Sequence, residues 1–125
     1  MIEAKQGVIF MGNVPAARPS PRIEFGILKW YDGDTFTIRL DLEAKDSGGL
    51  PVTLTASDTA VIRFYNCCRI QVLEKSFTDL SGGYVSLEFD SDTSNKFPAG
   101  RYSYDVIVTH GDVTTVVKNN KIFVE

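Results

Sequence analysis

"KFPAGRYSYDVIVTHGD", residues 96–112, decides how this chain is read. Tyr102 and Tyr104 stand one residue apart just after a Pro-Ala-Gly step, and an apolar run then leads to the single histidine, His110. As a site, the stretch would offer phenols and an imidazole for chemistry. As a strand, it offers Tyr102, Tyr104, Val106 and Val108 on one face, against Arg101, Ser103, Asp105 and Thr109 on the other. A period of two belongs to β-structure, because successive side chains leave a strand on opposite faces. Pro98-Ala99-Gly100 then ends a loop, and His110 opens a hairpin turn at Gly111-Asp112.

The same alternation recurs along the chain. In "TFTIRLDLE" (35–43), Phe36, Ile38, Leu40 and Leu42 share one face, while Thr35, Thr37, Arg39, Asp41 and Glu43 share the other. "YVSLEFD" (84–90) repeats the pattern with Val85, Leu87 and Phe89 inward. "AVIRFYN" (60–66) places Ile62 and Phe64 inward, and "CRIQVLEK" (68–75) suggests Cys68, Ile70 and Val72. The first run, "IEFGILKWY" (23–31), is interrupted at Gly26, which predicts a kink. The last, "VTTVVKNNKIFVE" (113–125), carries a bend or bulge at Asn119-Asn120. Turn-rich segments separate the runs: "YDGD" (31–34), "KDSGGLP" (45–51), "DLSGG" (79–83) and "SDTSNKFPAG" (91–100). No segment has helical periodicity. The pattern predicts an all-β, immunoglobulin-like antiparallel β-sandwich of about seven to eight strands over residues 22–125.

Residues 1–21 differ from the rest. Pro15, Pro19 and Pro21 fix φ and remove backbone donors, so this piece is expected as an extended arm outside any central strand. Upstream of the prolines, Val8, Ile9, Phe10 and Met11 form an apolar tip suited to docking on a neighbouring subunit. Lys118 and Lys121 on the last strand are expected to discourage uncontrolled edge pairing.

The chain has 125 residues, 43% hydrophobic and 23% charged, which suffices for one core without metals or disulfides. Its formal net charge is −3, which argues against nucleic acid or an anionic membrane as the main partner, though a local basic patch is compatible with it. No apolar run reaches the ~18 residues of a membrane helix, and the first residues do not read as a secretory signal. Cys67 and Cys68 are adjacent, so they form no disulfide framework. They are expected as reduced thiols, one of them in the core.

Candidate chemistry is thin. His110 lacks a nucleophile motif and reads as an exposed turn residue. "DSDTSN" (90–95) begins like a calcium loop, but the positions that need Gly and a bidentate Glu hold Asn95 and Arg101. Asp32 and Asp34 read as turn residues, and Asp41 and Glu43 as a solvated strand face. Tyr31, Tyr65 and Tyr84 are the tyrosines free to face outward, and they carry the alternative of a cell-surface glycan-binding module. Neither a cofactor nor catalysis is expected.

Two stretches carry a family resemblance: "DGDTFTIRLDLEAKDSGGLPVTLTASDTAVIRF" (32–64) and "GGYVSLEFDSDTSNKFPAGRYSYDVIVTHGDVTTVV" (82–117). Their order of acidic turn, "PVTLT", "PAG-x-Y-x-YDV" and terminal hairpin resembles the N-terminal immunoglobulin-like domain of phage baseplate upper proteins and related tail-associated virion modules. The resemblance spans roughly residues 27–124. It implies a non-enzymatic virion structural protein, a connector that assembles in the host cytoplasm with other virion proteins or with copies of itself. It also implies structural roles for Gly100, Tyr102, Tyr104 and Asp105. The family carries a further C-terminal region that this sequence does not show, and a head-decoration protein of the capsid is the alternative station.

Overall fold

The computed structural model describes residues 3–11 and 20–125. Ten strands and one helical turn follow in order among these residues: β1 Glu3–Met11, β2 Arg22–Glu24, β3 Ile27–Trp30, β4 Phe36–Lys45, β5 Pro51–Val52, β6 Thr59–Asn66, β7 Gln71–Thr78, β8 Tyr84–Phe89, α1 Ser91–Ser94, β9 Gly100–His110 and β10 Val113–Val124. The count exceeds the expected seven to eight because β2 and β5 are very short and because β1 comes from the region expected as an arm.

The strands form two sheets. In one, β4 pairs with β1 and β8, and the short β5 joins its end. The other runs β2-β3-β10-β9-β6-β7. All its pairings are antiparallel except β3 with β10, which run parallel. The described residues are nearly all β and lie in two sheets, with the short early strand β3 parallel to the last, so the expected all-β sandwich stands.

The two inner faces supply the core. β4 alternates without a break, with Phe36, Ile38, Leu40, Leu42 and Ala44 buried. β8 repeats this with Val85, Leu87 and Phe89, and the facing sheet answers with Ala60, Ile62, Phe64, Val106 and Val108. Trp30 is fully buried at the centre, with the rings of Phe36, Phe89 and Phe97 at 5.2, 5.1 and 5.6 Å. Each large side chain removed from water in this way stabilises the fold by about 1.5–3 kcal/mol.

Three expectations are corrected by local geometry. Gly26 does not kink a strand: Phe25 and Gly26 have φ of 51° and 76° and form a two-residue turn joining β2 to β3, with Glu24 opposite Ile27. Two consecutive positive φ values match the twist of the flanking strands. Cys68 and Ile70 do not point inward, because β7 starts only at Gln71. The Asn66 side-chain oxygen accepts from the amides of Cys68 (2.9 Å) and Ile70 (3.1 Å), which folds residues 66–70 into an exposed turn. Both thiols are therefore exposed, and neither lies in the core. The last strand is not an edge, since β10 lies between β3 and β9.

The bulge expected near Asn119-Asn120 is present. The β9–β10 register shifts between Val117 and Asn120, and Asn119 has φ 59°. Its amide donates to Asp105 Oδ1 at 2.9 Å. That contact, with Arg69 on the second oxygen at 3.3 Å, explains why Asp105, expected on the polar face, is only 5% exposed.

Candidate functional site

The opening stretch is structural in the way its spacing suggested. The Tyr102 hydroxyl donates to the carbonyl of Pro98 at 2.5 Å, and the Tyr102 ring meets Phe97 edge-on at 5.0 Å. This closes the loop before β9 onto the strand, as the tyrosine corner of immunoglobulin-like sandwiches does. Gly100, at φ 152°, turns the chain into β9. Tyr104 packs beside Phe64 at 5.8 Å, and burial pushes its phenol up to about 12.

His110 is not a free turn residue. It ends β9, its side chain is 29% exposed, and Nδ1 lies 2.9 Å from both carboxylate oxygens of Asp58, which is 2% exposed. Burial works to raise the Asp58 carboxyl. Hydrogen bonds from His110 and from the Thr55 amide (2.8 Å) outweigh it and leave the group below the usual carboxylate range. Asp58 thus ties the loop before β6 to the β9–β10 turn. Among the described residues, no serine, threonine or cysteine hydrogen-bonds this imidazole.

The remaining candidates scatter. "DSDTSN" folds as the helical turn α1, with Asp90 accepting from the Thr93 amide at 2.8 Å as its N-cap. Asp34 belongs to the turn after β3, where its amide donates to the Tyr31 carbonyl and its own carbonyl accepts from the Ser94 hydroxyl. Asp41 pairs with Arg39 at 3.0 Å on the outer face of β4. Among the described residues, no three His, Cys, Asp or Glu side chains are placed to share a metal ion. Tyr65 lies in β6, Tyr84 in β8 of the other sheet, and Tyr31 just past β3, so the three make no common row. Each also carries an arginine: Arg69 over Tyr65 at 4.1 Å, Arg39 over Tyr84 at 3.9 Å and Arg22 over Tyr31 at 5.3 Å.

Val8, Ile9, Phe10 and Met11 end β1 and are hydrogen-bonded into the chain's own sheet. Ile9, Phe10 and Met11 stand opposite Arg39, Ile38 and Thr37 of β4, and Val8 falls in the bulged stretch between Lys5 and Ile9. The pairing supplies partners to a side of β4 that would otherwise present open amides and carbonyls. Residues 12–19, with Pro15 and Pro19, lie outside the described residues.

A feature that the strand-by-strand reading missed lies on the outer face of the six-stranded sheet. A groove of about 530 Å³ runs across β3, β10 and β9 and is walled by the 66–70 turn. Lys29, Arg69, Arg101 and Lys121 line it together with Ile27 and Phe123. Two of these cations are paired, Lys29 with Glu24 at 3.1 Å and Arg69 with Asp105 at 3.3 Å. Arg101 and Lys121 make no ion pair among the described residues. Arg69 is held in place by Tyr65 beneath it and by Ser103, whose hydroxyl lies 2.9 Å from Nη1. The four cations stand 20 to 92 positions apart in the chain and meet only through strand register, so no local motif announces them. The net charge of −3 conceals them further.

Compared with known proteins, the chain matches no family model. No curated protein matches it either.

Proposed function

We propose that the chain is a non-enzymatic structural module of a phage virion, a tail- or baseplate-associated connector that assembles through edge and surface contacts. The observation that supports this reading best is the edge of β8. Among the described residues Tyr84–Phe89 pairs only with β4, in regular register, and the strand carries no lysine, proline or bulge and a single exposed charge, Glu88. Unguarded edges are templates for strand addition, and a protein that kept one exposed would pair through it. The motif likeness to baseplate upper proteins points the same way. A head-decoration role uses the same edge and differs only in station.

Ser86 is exposed and mid-strand, so Ser86→Lys places a charge on the edge and leaves the core intact. The expected result is weaker self-association in sedimentation velocity, or weaker incorporation into particles, with unchanged thermal unfolding. Deleting residues 1–21 removes β1, with Val8, Ile9, Phe10 and Met11, and opens the side of β4 it pairs with, so its thermal unfolding is matched to the parent's before association is read. If both variants enter particles and associate as the parent does, the assembly reading is wrong.

A further inference from the structure

We propose that the basic groove on the six-stranded sheet is a binding site for an acidic oligosaccharide. This goes beyond assembly, because the groove lies on a different sheet from the β8 edge.

The register sets the geometry. Phe123 stands between Lys29 on β3 and Arg101 on β9, and Lys121 stands opposite Ser103 one step along. Lys121 and Arg101 are therefore diagonal cross-strand neighbours, with roots roughly 7–8 Å apart. Two unpaired cations at that spacing match acid groups on one or two sugar rings. Beside them the Phe123 ring is partly exposed, with the Lys29 ammonium 5.9 Å from its centroid, and it adds apolar surface for a sugar ring. Arg69 is clamped by Tyr65, Ser103 and Asp105, so a guanidinium is fixed at the groove wall and loses little freedom on binding. A groove of about 530 Å³ falls in the size range of small-ligand sites.

The balance of donors and acceptors selects the ligand class. Arg69, Arg101, Lys29, Lys121 and the Asn66 amide all donate, whereas the carboxylates of Glu24 and Asp105 are already occupied by Lys29 and Arg69. An acidic peptide would bring a backbone N–H at every residue and find few acceptors, because the sheet's own backbone is already paired beneath it. A sugar acid brings carboxylates or sulfates, ring hydroxyls that accept, and an apolar ring face. A nucleic acid would meet a chain of net charge −3 beyond the few cations of the groove, with nothing to neutralise its further phosphates.

The test is calorimetric titration of the purified full chain with trigalacturonate, a heparin-derived tetrasaccharide, maltotriose and hexaglutamate. Binding of either acidic sugar, with no binding of maltotriose and weaker binding of hexaglutamate, is the expected result. The carboxylated and sulfated arms then identify the acid group. Arg101→Ala and Lys121→Ala, both at exposed positions, each weaken binding about ten-fold or more. Phe123→Ala weakens it without changing charge. Ligand also slows modification of Cys67, which lines the groove, in a Cys68→Ser background. Failure of both acidic sugars, equal binding of maltotriose, or tighter binding of hexaglutamate overturns the proposal. So does wild-type affinity in the Arg101→Ala, Lys121→Ala double variant.

Discussion

Tyr102 and Tyr104 differ by one hydrogen bond, and this sets up an internal control. Tyr102 donates its hydroxyl to Pro98, four residues upstream, across the loop that enters β9. Tyr104 is half-buried, with desolvation alone raising its phenol, and its hydroxyl makes no hydrogen bond among the described residues. Phenylalanine at either position keeps the ring contacts with Phe97 or Phe64. Tyr102→Phe therefore removes one neutral hydrogen bond and leaves the Pro98 carbonyl to water, at a cost of about 1 kcal/mol. With an unfolding entropy of ~2.1 cal/mol/K per residue, this lowers Tm by about 4 °C. Tyr104→Phe removes no hydrogen bond among the described residues, so its effect stays within about 0.5 kcal/mol of neutral. Urea unfolding followed by far-UV circular dichroism measures both against the parent. If the two variants agree within about 0.3 kcal/mol, the Tyr102 bond does not hold the loop and the corner reasoning fails.

Three further outcomes follow from other sites. Asp58→Asn weakens the charged contact with His110 and destabilises the fold by about 1–3 kcal/mol near neutral pH. Because the folded Asp58 carboxyl lies below its unfolded value, its contribution is complete above about pH 4 and is lost as pH falls through the folded value. The gap between parent and variant in urea midpoint should therefore narrow on acidification; a gap that widens would contradict the pairing. Phe25 is fully exposed at φ 51°, a conformation that asparagine tolerates better, so Phe25→Asn should raise the unfolding free energy by about 1 kcal/mol. Native protein should react with a small thiol reagent at both Cys67 and Cys68, the second more slowly because its hydrogen bond to Cys67 pushes that thiol up; a single reactive thiol would place the other in the core.

The sandwich was legible because period-two burial is written directly into β4, β6 and β8, where one residue out of register would expose the whole inner face. What escaped the sequence depends on side chains acting at a distance. The 66–70 turn is built by the Asn66 amide side chain, which converts an apparent strand start at Cys68 into a loop. Asp105 reads as outward from its position in β9, yet a bulge residue fourteen positions downstream and an arginine from the 66–70 turn bury it. His110 reads as a turn residue because its partner, Asp58, is fifty-two residues away. The groove was the least legible feature: its cations come from β3, β9, β10 and a turn, and only the strand order β3-β10-β9-β6 brings them together.

The parallel pairing of β3 with β10 has a mechanical consequence. Ile122, Phe123 and Val124 lie beside Leu28, Lys29 and Trp30, and the ladder extends through the Glu125 amide to the Trp30 carbonyl and the Asp32 amide to the Glu125 carbonyl. Because β2 folds back antiparallel along β3 and sets Arg22 beside Glu125, the shearing load is one applied to Ile27 at the start of β3 and to Glu125, which pulls β3 and β10 in opposite senses along their shared axis. The bonds between them are then loaded together in shear, and no single rung can peel away first. The β3–β10 pair acts as a clasp that resists extension of the sandwich.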